Sequence, residues 1–332
     1  MSDRIRFAVI GYGHIGKRHA EMVSRNPEAE LAAIVDINEG NTTFNERYNV
    51  PQFRDLSELL TSEVSADVIT LATPNGNHPS HALQALSFYK HVLVEKPLAL
   101  NPNDARQVIK KANEVDKMVF TVMQNRYSAP SQWIKGLVNS GKLGRIYMVQ
   151  VNCYWNRDSR YYTRTNWRGT TDLDGGTLFT QFSHFIDMIY WLFGDIQNIQ
   201  ARFADFAHQD LTDFEDSGFM SFEFVKGGMG ALTFSTAVWD RNLESSMTVI
   251  AENGSVKIGG QYMDKVEYCH VKDYTFSPVE SADAASNHQH VIANVVDVLK
   301  GRSPVTTTAI EGLKVVDIIS RMYADGNRNF KK

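Results

Sequence analysis

Residues 5 to 36 constrain this chain more than any other stretch. Ile5–Ile10 (IRFAVI) is a short apolar run with β-branched residues, suited to a strand buried on both faces. It runs into Gly11-Tyr12-Gly13-His14-Ile15-Gly16, an uninterrupted GxGxxG. Gly11 allows a tight turn, Gly13 lets a pyrophosphate approach the backbone, and Gly16 lets the following helix pack on the strand. That helix is expected to begin near His14 and to aim its unpaired N–H groups at the phosphates. A second apolar run, Leu31–Val35, ends in Asp36. The offset from the last glycine, 36 − 16 = 20, is where an acid accepts from a ribose hydroxyl. A lone GxGxxG is weak, but the strand, helix and acid around this one predict a dinucleotide site. Asp36 repels a 2′-phosphate and no arginine follows it directly, which favours NAD over NADP.

The length of 332 residues suggests two domains. A formal net charge of −4 argues against general affinity for nucleic acid or acidic membranes. Cys153 and Cys269 form no CxxC or metal pattern, so a reduced, cytoplasmic protein without a metal site is expected. The start, Met-Ser-Asp-Arg-Ile-Arg, has no apolar signal core behind it, and no run of about 18 apolar residues could span a bilayer.

Strand and helix signals continue after Asp36. Asp55–Leu60 reads as a short helix and Asp67–Ala72 as a buried strand ending in Thr73-Pro74-Asn75. Ligands of open α/β sheets sit at the strands' C-terminal ends, so Thr73, Pro74 and Asn75 are expected along the cofactor. His78 and His81 open a helix through Leu86; His78 reads equally as a cofactor contact or a helix-start residue. The strand His91–Val94 ends in Glu95-Lys96-Pro97 at the same sheet edge. Glu95 and Lys96 are placed beside the nicotinamide. A lysine partly desolvated there can exchange a proton with a substrate hydroxyl; the plainer reading is a solvated lysine at a strand end. Asn103–Val115 reads as an amphipathic helix and Met118–Val122 as a strand. Gln124-Asn125-Arg126-Tyr127 then puts polar groups at another strand end, with Gln124 read toward the cofactor and Asn125 and Arg126 toward substrate.

The composition changes near residue 123, so the expected domains are 1–123 for the dinucleotide and 124–332 for substrate and self-association. The last helix, Thr307–Tyr323, is free to pack back on the first domain. Ala129–Ser140 reads as a helix and Ile146–Trp155 as a long strand. Arg157, Arg160, Arg164 and Arg168 face only Asp158 in their stretch, a local balance of 4 − 1 = +3, with Tyr161, Tyr162 and Trp167 between them. Arginine forks suit phosphates and carboxylates, and aromatic faces suit a base or sugar, so Arg157, Tyr161 and Tyr162 are substrate candidates. A solvated basic loop is the alternative. Asp174-Gly175-Gly176 is expected to open a helix to about Phe193 with Thr180, His184, Asp187 and Trp191 on one face. From Ile196 onward, β-type runs and turns predict an antiparallel sheet built from hairpins. Asn287 and His288 start a helix through Leu299, as caps or as substrate contacts.

GYGHIGKRH, TPNGNH, EKP, QNRY and DGGTLFTQFSHFID, in this order and spacing, resemble the Gfo/Idh/MocA family of NAD(P)-dependent sugar oxidoreductases over essentially the whole chain. The resemblance implies an α/β fold: an N-terminal Rossmann domain and a C-terminal α/β domain with a large open-faced, mainly antiparallel sheet. That sheet often forms the oligomer interface, and a homo-tetramer is favoured. It implies Lys96 as catalytic lysine with a cis bond before Pro97, His184 as its catalytic partner, and Trp167 and Arg168 at the nicotinamide end. Within the family, QNRY, NWRGT and DGGTLFTQFSH look most like UDP-N-acetylglucosaminuronate 3-dehydrogenases of bacterial surface-polysaccharide pathways. Relatives usually carry Asp or Asn where this chain has Thr180, which bears on the sugar bound. The expected activity is oxidation of the 3-hydroxyl of a UDP-N-acetylhexosamine uronate with NAD. Competing readings are another sugar or polyol dehydrogenase or keto-sugar reductase, an NAD-using glycosidase or lyase, and a cofactor-binding sensor without turnover.

Overall fold

The computed structural model describes residues 4–38, 47–260, 263–279 and 287–326. The chain divides into two compact units, Met1–Met123 with His288–Val316 and Gln124–Asn287 with Asp317–Lys332.

The first unit is a parallel sheet built from β1 (Ile5–Ile10), β2 (Ala29–Val35), β3 (Gln52–Phe53), β4 (Val68–Leu71), β5 (His91–Val94) and β6 (Val119–Thr121). Their order is β3-β2-β1-β4-β5-β6, and every pair is parallel. Strands covered by helices on both faces need continuous apolar runs, and Phe7–Ile10, Val68–Leu71 and Val92–Val94 are buried throughout. The helices are α1 (His14–Arg25), α2 (Leu56–Thr61), α3 (His78–Ser87) and α4 (Pro102–Glu114). Side chains set two of the starts. Asp55 accepts from the Glu58 N–H at 2.9 Å, and Asn101 accepts from that of Asp104 at 2.9 Å with Pro102 in the first turn.

The second unit contains α5 (Ala129–Asn139), β7 (Ile146–Tyr154), α6 (Ser159–Tyr162), a π-type turn at Leu178–Phe182 and α7 (Ser183–Phe193). Strands β8 (Ile196–Ala204), β9 (Ser217–Phe224), β10 (Met229–Ser235), β11 (Glu244–Ala251), β12 (Gly254–Gly259) and β13 (Lys265–Val271) follow. With β7 they form one sheet, ordered β13-β12-β11-β7-β10-β9-β8. The hairpin reading holds except at its centre, where β10 pairs with β7 in parallel. The chain leaves β7, builds α6 and α7, and returns through the β8-β9-β10 meander on the side of β7 opposite β11. One face of this sheet is covered: Phe182 meets Phe234 at 5.4 Å and Phe193 meets Phe224 at 5.3 Å. The other carries Met148, Met229 and Ile250, neighbours in register on β7, β10 and β11 and 42%, 54% and 43% exposed, so this face is open.

Two expectations change. Residues 288–316 group with the first unit, although the division by sequence gave them to the second half. The Thr121 N–H donates to the Thr307 carbonyl at 3.2 Å and Phe120 bridges Thr308, so this segment adds to the free edge at β6. Lys300 and Arg302, beyond helix α8 (Asn287–Leu299), both pair with Glu28. The last helix, α9 (Ala309–Asp325), begins with the first unit and ends with the second.

The helix opened by Asp174-Gly175-Gly176 does run to Phe193, but its first turn is not α-helical. Gly175 and Gly176 precede it at φ +90° and +128°. The π-type turn follows, so offsets of four no longer place Thr180 above His184. Thr177 is tied to the Glu215 carboxylate through its N–H at 3.2 Å, and the Leu178 N–H donates to the Tyr323 hydroxyl at 3.0 Å.

Arg126 and Asp187 form a bidentate pair inside the second unit, Nε to Oδ2 at 2.9 Å and Nη2 to Oδ1 at 2.6 Å, with neither side chain more than 1% exposed. Removing one partner strands the other charge. Arg126→Met is expected to cost about 3 to 5 kcal/mol in chemical denaturation, and the double variant Arg126→Met/Asp187→Leu to recover much of it.

Candidate active site

The glycine turn has the shape its sequence requires. Gly11 is at φ +84°, and a Cβ there would lie 2.7 Å from the Ala72 carbonyl oxygen. A Cβ on Gly16 would lie 1.8 Å from the Gly11 oxygen, so α1 packs directly on the turn. A Cβ on Gly13 would meet nothing within 4 Å. That open side, with no side-chain cap and no acid in the first turn of α1, is a cradle for phosphate oxygens. His14 and Ile15 begin the helix on the same turn. The Tyr12 N–H donates to Asp36 Oδ2 at 2.7 Å and the Asn38 N–H to Oδ1 at 2.8 Å, so the turn itself orients the carboxylate. Nothing here conflicts with a dinucleotide whose ribose hydroxyls reach Asp36.

β4 and β5 end at the same edge. Thr73 Oγ1 lies 3.1 Å from His81 Nδ1, and Asn75 is buried beyond Pro74. His78 is not a cofactor contact in this geometry. It is fully buried, with Nδ1 2.7 Å from the Pro97 carbonyl and Nε2 2.9 Å from that of Thr73. Burial lowers its pKa against the pull of both carbonyls. The imidazole thus fills the space between the two strand ends. The Lys96–Pro97 bond is cis and Lys96 is half-buried.

Behind Lys96 lies a cluster the sequence reading missed. His19 Nε2 is 2.7 Å from Glu95 Oε1, and His288 Nε2 is 3.9 Å from the same oxygen. Burial would raise the pKa of Glu95, but the His19 bond and the charges of His19, His288 and Lys96 outweigh it and hold the carboxyl down to about 2. Burial, against the pull of Glu95, takes His288 down to about 3. Asn287 and His288 are both buried, and His288 packs on His19. The available signal was position: Gly16, His19, Ala20 and Val23 form the buried stripe of α1, and a histidine there faces the sheet.

In the second unit, Gln124 Nε2 lies 2.9 Å from Nε2 of His184, which is 6% exposed in the first turn of α7. Asn125 is buried beside it in the sequence. Thr180 Oγ1 donates to the Asp174 carboxylate, so toward a ligand it can only accept. Arg157 lies between the rings of Trp155 and Tyr161, 4.8 and 5.1 Å from their centroids, and its Nε donates to Gln181 Oε1 at 2.7 Å. Gln181, also unforeseen, donates to the Tyr161 hydroxyl at 2.8 Å. Arg168 stacks on Tyr161 at 4.1 Å with Trp167 at 5.6 Å, and its buried Nε has no hydrogen-bond partner. Two substrate candidates lie elsewhere. The Arg126 guanidinium is spent on Asp187, and Tyr162 is buried against Tyr161, His208 and Phe214.

Comparison with known proteins matches both units. Residues 5–123 match the oxidoreductase family with the NAD-binding Rossmann fold, and residues 131–257 match the GFO/IDH/MocA C-terminal domain. The WlbA dehydrogenase of Bordetella pertussis, solved with NADH and UDP-GlcNAcA, is 31% identical and superposes with a TM-score of 0.90 over 98% of this chain and 97% of that one. The chain belongs to the Gfo/Idh/MocA family. Glucose-6-phosphate 3-dehydrogenase of Bacillus subtilis is 31% identical over 57% of this chain and 53% of its own length, so the match spans about half of that relative. D-glucoside 3-dehydrogenase of Escherichia coli is 25% identical over 97% of this chain and 95% of its own. This Gfo/Idh/MocA protein is accordingly an NAD-dependent oxidoreductase acting on the CH–OH group of a sugar or polyol. Among the described residues, no helix is long and apolar enough to cross a membrane, and no group of three His, Cys, Asp or Glu could hold a metal.

Two outcomes follow from this geometry. Gly13 has φ −71°, which alanine tolerates, so Gly13→Ala should melt like the wild type without cofactor yet bind NAD at least roughly tenfold more weakly by titration. Gly16→Ala should lose stability as well, because its Cβ collides with backbone. The second concerns acid. His288 drops from 6.5 to about 3 on folding and Glu95 from 4.5 to about 2, so the unfolded chain binds more protons below pH 6.5. Stability is full above that pH and lost on acidification, first through the His288 window and then that of Glu95. Melting temperature should therefore fall below pH 6.5, and His288→Gln should flatten the fall between 6.5 and 4.5; the same slope in both proteins would contradict this.

Proposed function

We propose that the chain oxidises the 3-hydroxyl of UDP-N-acetylglucosaminuronate. The observation that carries this reading is the near-full-length likeness, at 31% identity, to a dehydrogenase holding NADH and UDP-GlcNAcA. Two curated relatives named as sugar 3-dehydrogenases support carbon 3.

Bound NAD supplies the hydride acceptor. Gly11, Tyr12, Gly13, His14, Ile15 and Gly16 hold its phosphates, and Asp36 accepts from its ribose. Thr73, Pro74, Asn75 and Gln124 would line its nicotinamide half, with Trp167 and Arg168 at that end, and Glu95 would serve it from behind Lys96. The buried, unpartnered Nε of Arg168 suits an acceptor from outside the chain.

Lys96 takes the hydroxyl proton as hydride leaves carbon 3, and His184 supplies a second group for that oxygen. The Gln124 amide orients the His184 ring. Arg157 and Tyr161 face the anionic parts of the nucleotide sugar, while Thr180 and Asn125 bear on the sugar. Holding carbon 3 against the nicotinamide contributes much of the rate, and the residues named here contribute orientation and proton handling.

The test is NADH formation at 340 nm with UDP-GlcNAcA, UDP-GlcNAc and glucose 6-phosphate as competing substrates. UDP-GlcNAcA should lead, and Lys96→Met should lower kcat by about 10² to 10⁴ while NAD still binds. Equal turnover of UDP-GlcNAc would remove the carboxylate from recognition, and near-normal turnover in Lys96→Met would remove the lysine from proton transfer.

A further inference from the structure

The strand end that carries Lys96 is braced from within the first unit. His19 is fully buried on α1 and lies 2.7 Å from one oxygen of Glu95. The other Glu95 oxygen accepts the backbone N–H of Lys96 at 3.3 Å. An ionised carboxylate only accepts, so His19 Nε2 carries the proton and donates. One helix side chain therefore fixes the Glu95 rotamer, and Glu95 fixes the backbone from which Lys96 projects. His288 limits the same carboxylate from α8, its ring meeting that of His19 edge-on at 5.7 Å. The other charged or titratable groups acting on this cluster are Lys96, Arg18 on α1 and His78 on α3.

Packing does not explain a histidine here. His19 Nδ1 is buried with no hydrogen-bond partner, a loss that leucine on the same stripe would avoid. The imidazole is the one polar side chain of the buried α1 stripe, and it sits where its Nε2 reaches Glu95. We propose that His19 is a positioning residue for Lys96, acting through Glu95. The proposal rests on the reading of Lys96 as the proton-transfer group.

The test compares His19→Leu, which keeps bulk and loses the donor, with His19→Gln, whose amide N–H reaches as far as Nε2. In NADH formation from UDP-GlcNAcA, His19→Leu should lose at least roughly tenfold in kcat, with KM for the sugar and Kd for NAD within about twofold. His19→Gln should return to within about threefold of wild type. A leucine variant within about twofold of wild-type kcat, or a glutamine variant as slow as leucine with NAD binding intact, overturns the proposal. Should the leucine variant not fold, His19→Asn, polar but too short for Glu95, takes its place. A second readout needs no substrate: the rate at which trinitrobenzenesulfonate labels Lys96, followed by peptide mapping in NAD-loaded protein. It should change in His19→Leu and be restored in His19→Gln, and an unchanged rate overturns the proposal. Absence of wild-type turnover on UDP-GlcNAcA would strike the substrate reading alone and leave the labelling to decide on His19.

Discussion

The first unit depends on the approach of Gly16 to Gly11, where a single added methyl would fall 1.8 Å from a backbone oxygen. That contact seats the start of α1 on the end of β1, so the unpaired N–H groups of the helix point along the C-terminal edge of the sheet. In a parallel sheet all strands end at one edge, and β4 and β5 lie next in order from β1. Thr73–Asn75 and Glu95–Pro97 therefore come beside the glycine turn as a consequence of strand order. The His78 ring, seated between the Thr73 and Pro97 carbonyls, then spaces the two later ends.

The second unit solves a similar problem with charge. Gln124 and Arg126 lie two residues apart on one turn, His184 and Asp187 three apart on α7. Arg126 pairs with Asp187, and Gln124 pairs with His184, as adjacent rungs between the same two elements. A dry ion pair is weak grounds for stability, because desolvation offsets most of the attraction. Its bidentate geometry does fix orientation, and here it sets the spacing at which the Gln124 amide meets the His184 ring. The Arg126–Asp187 pair is thus better understood as alignment for its neighbour than as a source of folding energy.

Much of this was legible in the residues. The glycine motif, Asp36, the strand ends at Thr73 and Lys96 and most element boundaries follow from local period and turn chemistry. What was illegible depends on partners far away in sequence. An arginine in a polar turn reads the same whether it meets solvent, ligand or a buried acid, and Arg126 was decided by Asp187 on a helix 61 residues later. The π-type turn before His184 is held by Glu215 and Tyr323, which no local pattern around Thr177 announces. The parallel pairing of β7 with β10 arises because three elements and a meander intervene, whereas turn signals report only adjacent strands. His19 was legible in principle, as a polar residue on an otherwise apolar stripe, but its significance needed Glu95 opposite it.

The basic stretch shows why counting charges is not enough. Arg160 is neutralised: it pairs with Asp158 at 2.6 Å and with Asp240 at 3.2 Å, and contributes little field. Arg157 instead donates to the neutral oxygens of Gln181 and Asn156, and Arg168 to the Tyr161 carbonyl. Such bonds orient a guanidinium through neutral oxygens. Both cations lie against the Tyr161 ring, whose electron-rich faces offset part of their repulsion. Arg157 and Arg168 thus share one aromatic ring, in surroundings that differ from those of Arg160 although all three count alike in the sequence. The arginines counted as one basic stretch divide by the partners each finds, and Arg168, whose buried Nε has no hydrogen-bond partner, keeps a donor suited to an outside oxygen acceptor.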